Sequence, residues 1–339
     1  MPQHLDDLDT PAVVVDLDRL EHNITRMARL AATAGVNLRP HTKSHKTAGI
    51  ARRQLAAGST GITVAKLDEA EAYLNEGVRD IFVANEIAGR RKLRRAAELQ
   101  EQGSVAVGLD SLAAARELSD AANERGVRIP LLIEVDTGLH RAGLPPGETV
   151  ADLAGRVAAL PGVDLRGVFT HAGHAYAAPS RAEVERIAQD EARGVLESAE
   201  AMRLRGVACP VVSVGSTPTI CAAGVLKGVT EIRPGNYVFF DRMQVALGVT
   251  TRETCAQTVL ATVISRPTPE RIIVDAGSKT FALDKGAHGL EALDGFGEDV
   301  QNGLVLERLS EEHGILTTPA ASELAVGTRL RFLTNHACT

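Results

Sequence analysis

Between about Val36 and Val238 the chain repeats one pattern, a short apolar run followed by a helical stretch rich in Ala, Glu, Arg and Leu. The runs are Val36–Pro40, Gly61–Ala65, Asp80–Ala84, Val105–Leu109, Leu131–Val135, Asp164–Phe169, Val211–Val214 and Val229–Arg233. Segments 66–76, 88–102, 110–125 and 181–206 between them read as helices. Strands that alternate with helices pair in parallel, because each helix carries the chain back to the start of the sheet. These eight runs, with no Gly-x-Gly-x-x-Gly after the first, predict a closed (β/α)8 barrel and not an open dinucleotide-binding sheet.

After about residue 246 the texture changes. Segments 254–265, 270–275, 303–308 and 326–333 read as strands joined by Gly- and Pro-bearing turns, with little helix. The expected organisation is therefore a barrel over residues 17–245 and an antiparallel β domain built from 1–16 and 246–339. The apolar opening strand, Ala12–Asp16, is assigned to the β domain, ahead of a helix over 16–34.

A chain of 339 residues has room for one large and one smaller domain. Its net charge of −6 and aromatic content of 3% give no basic or stacking surface for nucleic acid. No apolar stretch is long enough to span a membrane, and the acidic start MPQHLDDLDT is not a signal peptide. Cys209, Cys221, Cys255 and Cys338 lie far apart, which fits reduced thiols and a cytoplasmic setting.

Active sites of such barrels sit at the C-terminal ends of the strands. Five clusters fall there: Arg39 to Lys46, Asp136 to Gly143, Thr170 to Tyr176, Gly215 to Thr219 and Arg233 to Tyr237. Lys43 stands directly off the first strand between His41 and His45, where a lysine can act as a Schiff-base nucleophile. Lys46 is the second choice and reads as a surface residue. Gly215-Ser216-Thr217 is compatible with a helix cap and with an anion site. Arg141 has Asp136 and Glu134 as nearby partners, while His171 and His174 read equally as core histidines. Beyond the last strand, His336 and Cys338 alternate onto one face if the segment is extended, and imidazole with thiolate suits zinc.

The segments Asp9-Thr10-Pro11-Ala12, Leu38 to Lys46, Asp136-Thr137-Gly138 with Arg141, Gly173-His174-Ala175-Tyr176, Gly215 to Thr219 and Arg233 to Tyr237 occur in order along nearly the whole chain. Together they resemble the D-serine dehydratase and D-threonine aldolase branch of the alanine racemase-like, fold type III enzymes. The resemblance implies that Lys43 carries pyridoxal 5′-phosphate (PLP) and that Gly215, Ser216, Thr217 and Tyr237 cradle its phosphate with Asn236 nearby. It places Arg141 and Tyr176 near the ring, and a divalent metal on His336 and Cys338. Zinc is the favoured ion, with manganese or magnesium as alternatives. In that branch dehydratases tend to carry His-x-Cys and D-threonine aldolases His-x-Asp, so Cys338 implies a dehydratase. Expected chemistry is β-elimination from a D-3-hydroxy amino acid to a 2-oxo acid and ammonia. The alternatives are retro-aldol cleavage, with His171 or His174 as base, and racemisation. A PLP-homeostasis protein without turnover lacks a β domain, which the strand-rich region argues against. The resemblance also implies a homodimer.

Overall fold

The computed structural model describes residues 4–225, 227–286, 293–319 and 322–338. The chain opens with β1 (Ala12–Val15) and α1 (Leu17–Ala34). It then alternates β2 (Asn37–Leu38), α2 (Ala48–Ala56), β3 (Ile62–Val64), α3 (Leu67–Asn75), β4 (Asp80–Glu86), α4 (Arg90–Leu99), β5 (Ser104–Leu109) and α5 (Leu112–Arg125). The second half follows with β6 (Ile129–Glu134), α6 (Glu148–Ala158), β7 (Val163–Phe169), α7 (Arg181–Leu204), β8 (Val211–Val214), α8 (Thr217–Ala223) and β9 (Glu231–Ile232). Two compact units result.

The larger unit, Ile24–Ala175 with Ala182–Gly235, holds the parallel sheet in the order β2-β9-β8-β7-β6-β5-β4-β3. The alternation predicted from the sequence is the one found. Its strands are continuous apolar runs because both faces are covered, and Ile81, Phe82 and Val83 of β4 are all buried. The helices are set by ordinary end signals. In α5 the Ser111 hydroxyl accepts from Ala114 N–H at 3.3 Å, Gly126 closes the far end in the left-handed region, and Ala115, Leu118 and Ala122 turn one face to the core.

The two ends of the sheet meet. Thr60 N–H donates to Leu38 O at 2.9 Å and Thr63 N–H to Pro40 O at 2.8 Å, with a parallel bridge between His41 and Thr63. The Thr63 hydroxyl donates to Arg39 O at 2.9 Å. Arg39 crosses this seam, its guanidinium 2.7 Å from Asp80 Oδ1 and 2.8 Å from Glu231 Oε2. Burial opposes the charge on Arg39, but Glu231 and Asp80 outweigh it and keep the group firmly protonated. Gly61 leaves room for this arrangement, since a Cβ there would stand 2.3 Å from Arg39 Nη1 and 2.5 Å from Asp80 O.

The second unit, Met1–Asn23, Tyr176–Arg181 and Asn236–Thr339, is antiparallel. It contains α9 (Arg242–Ala246), β10 (Gln257–Thr268), β11 (Arg271–Val274), α10 (Ser278–Phe281), β12 (Gly297–Asp299), β13 (Leu306–Leu309), β14 (Gly314–Thr317) and β15 (Arg329–Thr334). The sheet order is β12-β15-β10-β11-β14-β13, and β1 pairs antiparallel with β10. Val259, Val263, Ile272, Val274, Leu316 and Phe332 form its core, where the Phe281 and Phe332 rings meet edge to face at 5.7 Å. Strands β12 and β14, three and four residues long, are too short to stand out in the sequence. The units also divide at other residues than the periodicity suggests, at 23/24 and 235/236. Residues 236–246 continue the barrel's run in sequence but hydrogen-bond with the strand-rich unit, as when Ala256 N–H donates to Phe239 O at 2.7 Å.

Gly61→Ala is expected to force the seam apart and cost about 1–3 kcal/mol of stability, the usual range for overpacking a tight site. Denaturant unfolding checks this; an unchanged midpoint would show that the seam tolerates the added methyl group.

Candidate active site

In the barrel unit, β2 runs into a single 3-10 turn, Thr42–Ser44. His41 caps that turn, its Nδ1 accepting from Lys43 N–H at 3.3 Å. The Thr42 hydroxyl donates to Thr63 O at 3.1 Å, so the backbone leading into Lys43 is fixed at the seam. Lys43 is half-buried. Lys46 is exposed and lies 3.6 Å from Glu69 Oε1, the ordinary role of a surface lysine. Burial first, then the positive groups Lys43, His171, Arg233 and Arg141, hold the His41 imidazole well below its ordinary range. A neutral ring ringed by cations marks a place suited to an anion.

Arg141, in the loop after β6, is 3.4 Å from Glu134 Oε1, the second of its two candidate partners. The other, Asp136, shapes its own turn by accepting from Gly138 N–H and His140 N–H, each at 3.0 Å. Burial, then the neighbouring Glu86 carboxyl, pushes Glu134 up to about 8. Glu134 Oε2 and Glu86 Oε1 are buried with no donor among the described residues. His171 follows β7, half-buried. His174 lies in the 3-10 turn Gly173–Ala177, its buried Nδ1 without a partner among the described residues, and burial holds it below its ordinary value.

Gly215 follows β8 with φ +108°, and a Cβ there would stand 2.9 Å from Ile220 Cγ1. Ser216 caps α8. The Gly215 and Ser216 amides donate to Glu191 Oε1 and Thr219 Oγ1, both at 3.0 Å, so these two N–H groups hold the turn together. The Ser216 and Thr217 side chains of the same turn are buried. Arg233, read in the sequence as part of a turn, points inward: it donates to Ser213 Oγ and Thr170 O and lies over the Phe82 and Phe169 rings at 5.7 and 5.3 Å.

In the strand-rich unit, Asn236 and Tyr237 are buried in a 3-10 turn, and Asn236 Oδ1 has no partner among the described residues. The Tyr176 and His336 rings are 6.3 Å apart. His336 and Cys338 lie beyond β15 in a bend and turn, not in the extended segment the sequence suggested. Strand alternation therefore does not bring them together. The turn does, and their side chains hydrogen-bond. Burial works against the His336 imidazolium, but Cys338, Asp241 and Asp284 outweigh it and raise the group to about 9. His336 Nδ1 is 3.1 Å from Asp284 Oδ2. Among the described residues no three His, Cys, Asp or Glu side chains converge as a metal site. An imidazole–thiolate pair is nonetheless a donor set for a zinc-like ion whose other positions are open. Sequence reasoning missed Glu86, Asp241 and Asp284, which no local motif distinguishes, and gave Arg233 no part beyond its turn and Glu134 none beyond a partner for Arg141.

The Glu86–Glu134 pair has a pH signature. A carboxyl raised from 4.5 to about 8 favours the folded state fully below 4.5, and that contribution is lost as pH rises through about 8. Glu86→Gln removes the neighbouring carboxyl and narrows the window. Between pH 5 and 8.5 the melting temperature of the wild type should fall more than that of Glu86→Gln, by about 2 °C or more. Parallel profiles would show that Glu134 does not keep its proton.

The comparisons with known proteins agree with this geometry. Residues 15–243 match the family described as alanine racemase, N-terminal domain, and residues 256–339 the putative serine dehydratase domain. The chain is 42% identical to D-threo-3-hydroxyaspartate dehydratase of Delftia sp. (strain HT23), over 98% of this chain and 91% of that protein. It is 34% identical to D-threonine aldolase of Arthrobacter sp., over 97% and 86%. A solved structure of the Delftia dehydratase superposes with a TM-score of 0.93 at 39% identity, covering 99% of this chain and 93% of that one. A cysteine-to-alanine variant of D-threo-3-hydroxyaspartate dehydratase is described as metal-free, and another variant replaces a histidine two positions before that cysteine. The chain belongs to the alanine racemase-like family, a PLP-dependent fold, and carries the serine dehydratase-type C-terminal domain.

Proposed function

We propose that the chain is a PLP- and divalent-metal-dependent lyase that eliminates the β-hydroxyl of D-3-hydroxy amino acids, yielding a 2-oxo acid and ammonia. The observation that carries this reading is the contact between the His336 imidazole and the Cys338 thiol, the ligand pair expected of a dehydratase. The likeness to the Delftia enzyme makes 3-hydroxyaspartate, alongside D-serine, the substrate to test first. The absence of a disulfide among the four cysteines fits work in the cytoplasm. The family likeness favours a homodimer.

The residues fit both groups. Lys43 would hold PLP, with Ser216, Thr217, Asn236 and Tyr237 for its phosphate beside the Gly215 turn, and Arg141 and Tyr176 near the ring. His336 and Cys338 would hold the metal, zinc before manganese or magnesium. When bound, PLP supplies an electron sink at Cα and the metal supplies Lewis acidity at the β-hydroxyl.

This chain's own residues do the rest. The Lys43 amine, once exchanged for the substrate amine, takes the α-proton as general base. Its anchorage at the seam keeps that amine in one place throughout. The cations around His41 hold anionic groups, and the neutral His41 adds no competing proton. The hydroxyl leaves as water. The released enamine becomes an imine that water hydrolyses, so one water lost is one water regained. Retro-aldol cleavage, with His171 or His174 taking the hydroxyl proton, is the second reading, favoured by the likeness to D-threonine aldolase.

Product analysis decides between them. With D-threo-3-hydroxyaspartate, D-serine and D-threonine, ammonia and 2-oxo acid should form in equal amounts. Glycine and an aldehyde would establish the aldolase instead. Chelation, or Cys338→Ala, should lower elimination by about 100-fold or more, several kcal/mol of lost Lewis acidity. Full activity in the metal-stripped protein would remove the metal from the reaction.

A further inference from the structure

We propose that Asp241 is the positioning residue that holds the metal-binding segment and the cofactor-side turn in one arrangement, a role that rests on His336 and Cys338 being the metal ligands. Asp241 is buried and caps α9, its Oδ1 accepting from Gln244 N–H at 3.0 Å. Its Oδ2 takes two donors from parts of the chain far apart in sequence. Asn236 Nδ2 donates at 2.5 Å and Ala337 N–H at 2.9 Å. Ala337 stands between His336 and Cys338, so this one hydrogen bond fixes the backbone from which both side chains project. Asn236 and Tyr237 form the turn on the cofactor side.

The start of α9 adds further ties to the same segment. Met243 N–H donates to Asn335 O at 3.2 Å, and Arg242 donates to Asn335 Oδ1. Asn335 Nδ2 in turn donates to Asp284 O at 2.9 Å, and the Asp284 carboxylate meets His336 Nδ1. A carboxylate is required at 241 because three donors converge on two oxygens. Asparagine offers one oxygen and sets an NH2 group against a donor, so at least one tie must break. Charged acceptors also make the stronger hydrogen bonds.

The test uses the full chain with cobalt(II) as the metal probe, read by the thiolate-to-cobalt absorption of Cys338. Asp241→Asn should bind cobalt about 10-fold more weakly or worse, as expected when a partner that orients ligands is lost. Its PLP affinity, followed by absorbance, should fall as well. A merely structural role would lower the melting temperature and leave both affinities of the folded protein unchanged; that result overturns the proposal. If Asp241→Asn does not fold, hydrogen exchange on the wild type decides. The Ala337 amide should stay protected after chelation. Free exchange at Ala337 in the metal-stripped protein would mean that the metal, not Asp241, orders the segment. A wild type that takes up no cobalt would sink the metal assignment alone, and Ala337 protection would still decide the role of Asp241.

Discussion

The closure of the parallel sheet on itself is the constraint on which the catalytic arrangement depends. β2 is two residues long and β3 three, so little regular pairing is available where the barrel shuts. The closure relies instead on backbone hydrogen bonds from Thr60 and Thr63, on the Thr63 hydroxyl and on Arg39 held between Asp80 and Glu231. Burying such ions is costly unless they are paired, and here Arg39 is bonded on both sides. Lys43 emerges one turn beyond this seam. The base role proposed for Lys43 calls for a well-held side chain, and a position one turn from the seam favours that.

Charge is arranged differently in the two units. In the barrel, burial and neighbouring cations hold His41 below its ordinary range, while burial and the Glu86 carboxyl push Glu134 up. The surplus positive potential left by Lys43, Arg141 and Arg233 suits an anionic cofactor. In the strand-rich unit the emphasis is reversed. Asp241 and Asp284 face His336, and a thiol stands next to it. That surrounding favours a cation. Anion chemistry and cation chemistry are thus assigned to separate sets of side chains.

Much of this was legible in the sequence because it is local. Continuous apolar runs separated by amphipathic helices reveal a parallel sheet without reference to distant residues. Lys43 stands out through its immediate neighbours. Residues whose role depends on long-range pairing stayed hidden. Asp241 is an ordinary N-cap to any sequence reading, and its bond to Ala337 spans most of the β domain. Glu86 and Glu134 end two different strands and meet only once the sheet curls. The His336–Cys338 pair was found for a reason that the fold does not use, since a turn and not strand alternation joins the two side chains. Likewise Gly215 and Ser216 stand at the expected turn, yet their amides serve Glu191 and Thr219.

The measurement closest to the centre of this chemistry is the site of cofactor attachment. The full chain is incubated with PLP, reduced with borohydride, digested and mapped by mass spectrometry. A reduced pyridoxyl adduct on Lys43, absent from Lys43→Ala, is the expected result. An adduct on Lys46, or none on any lysine, would contradict the assignment of the seam as the place where this enzyme holds its cofactor.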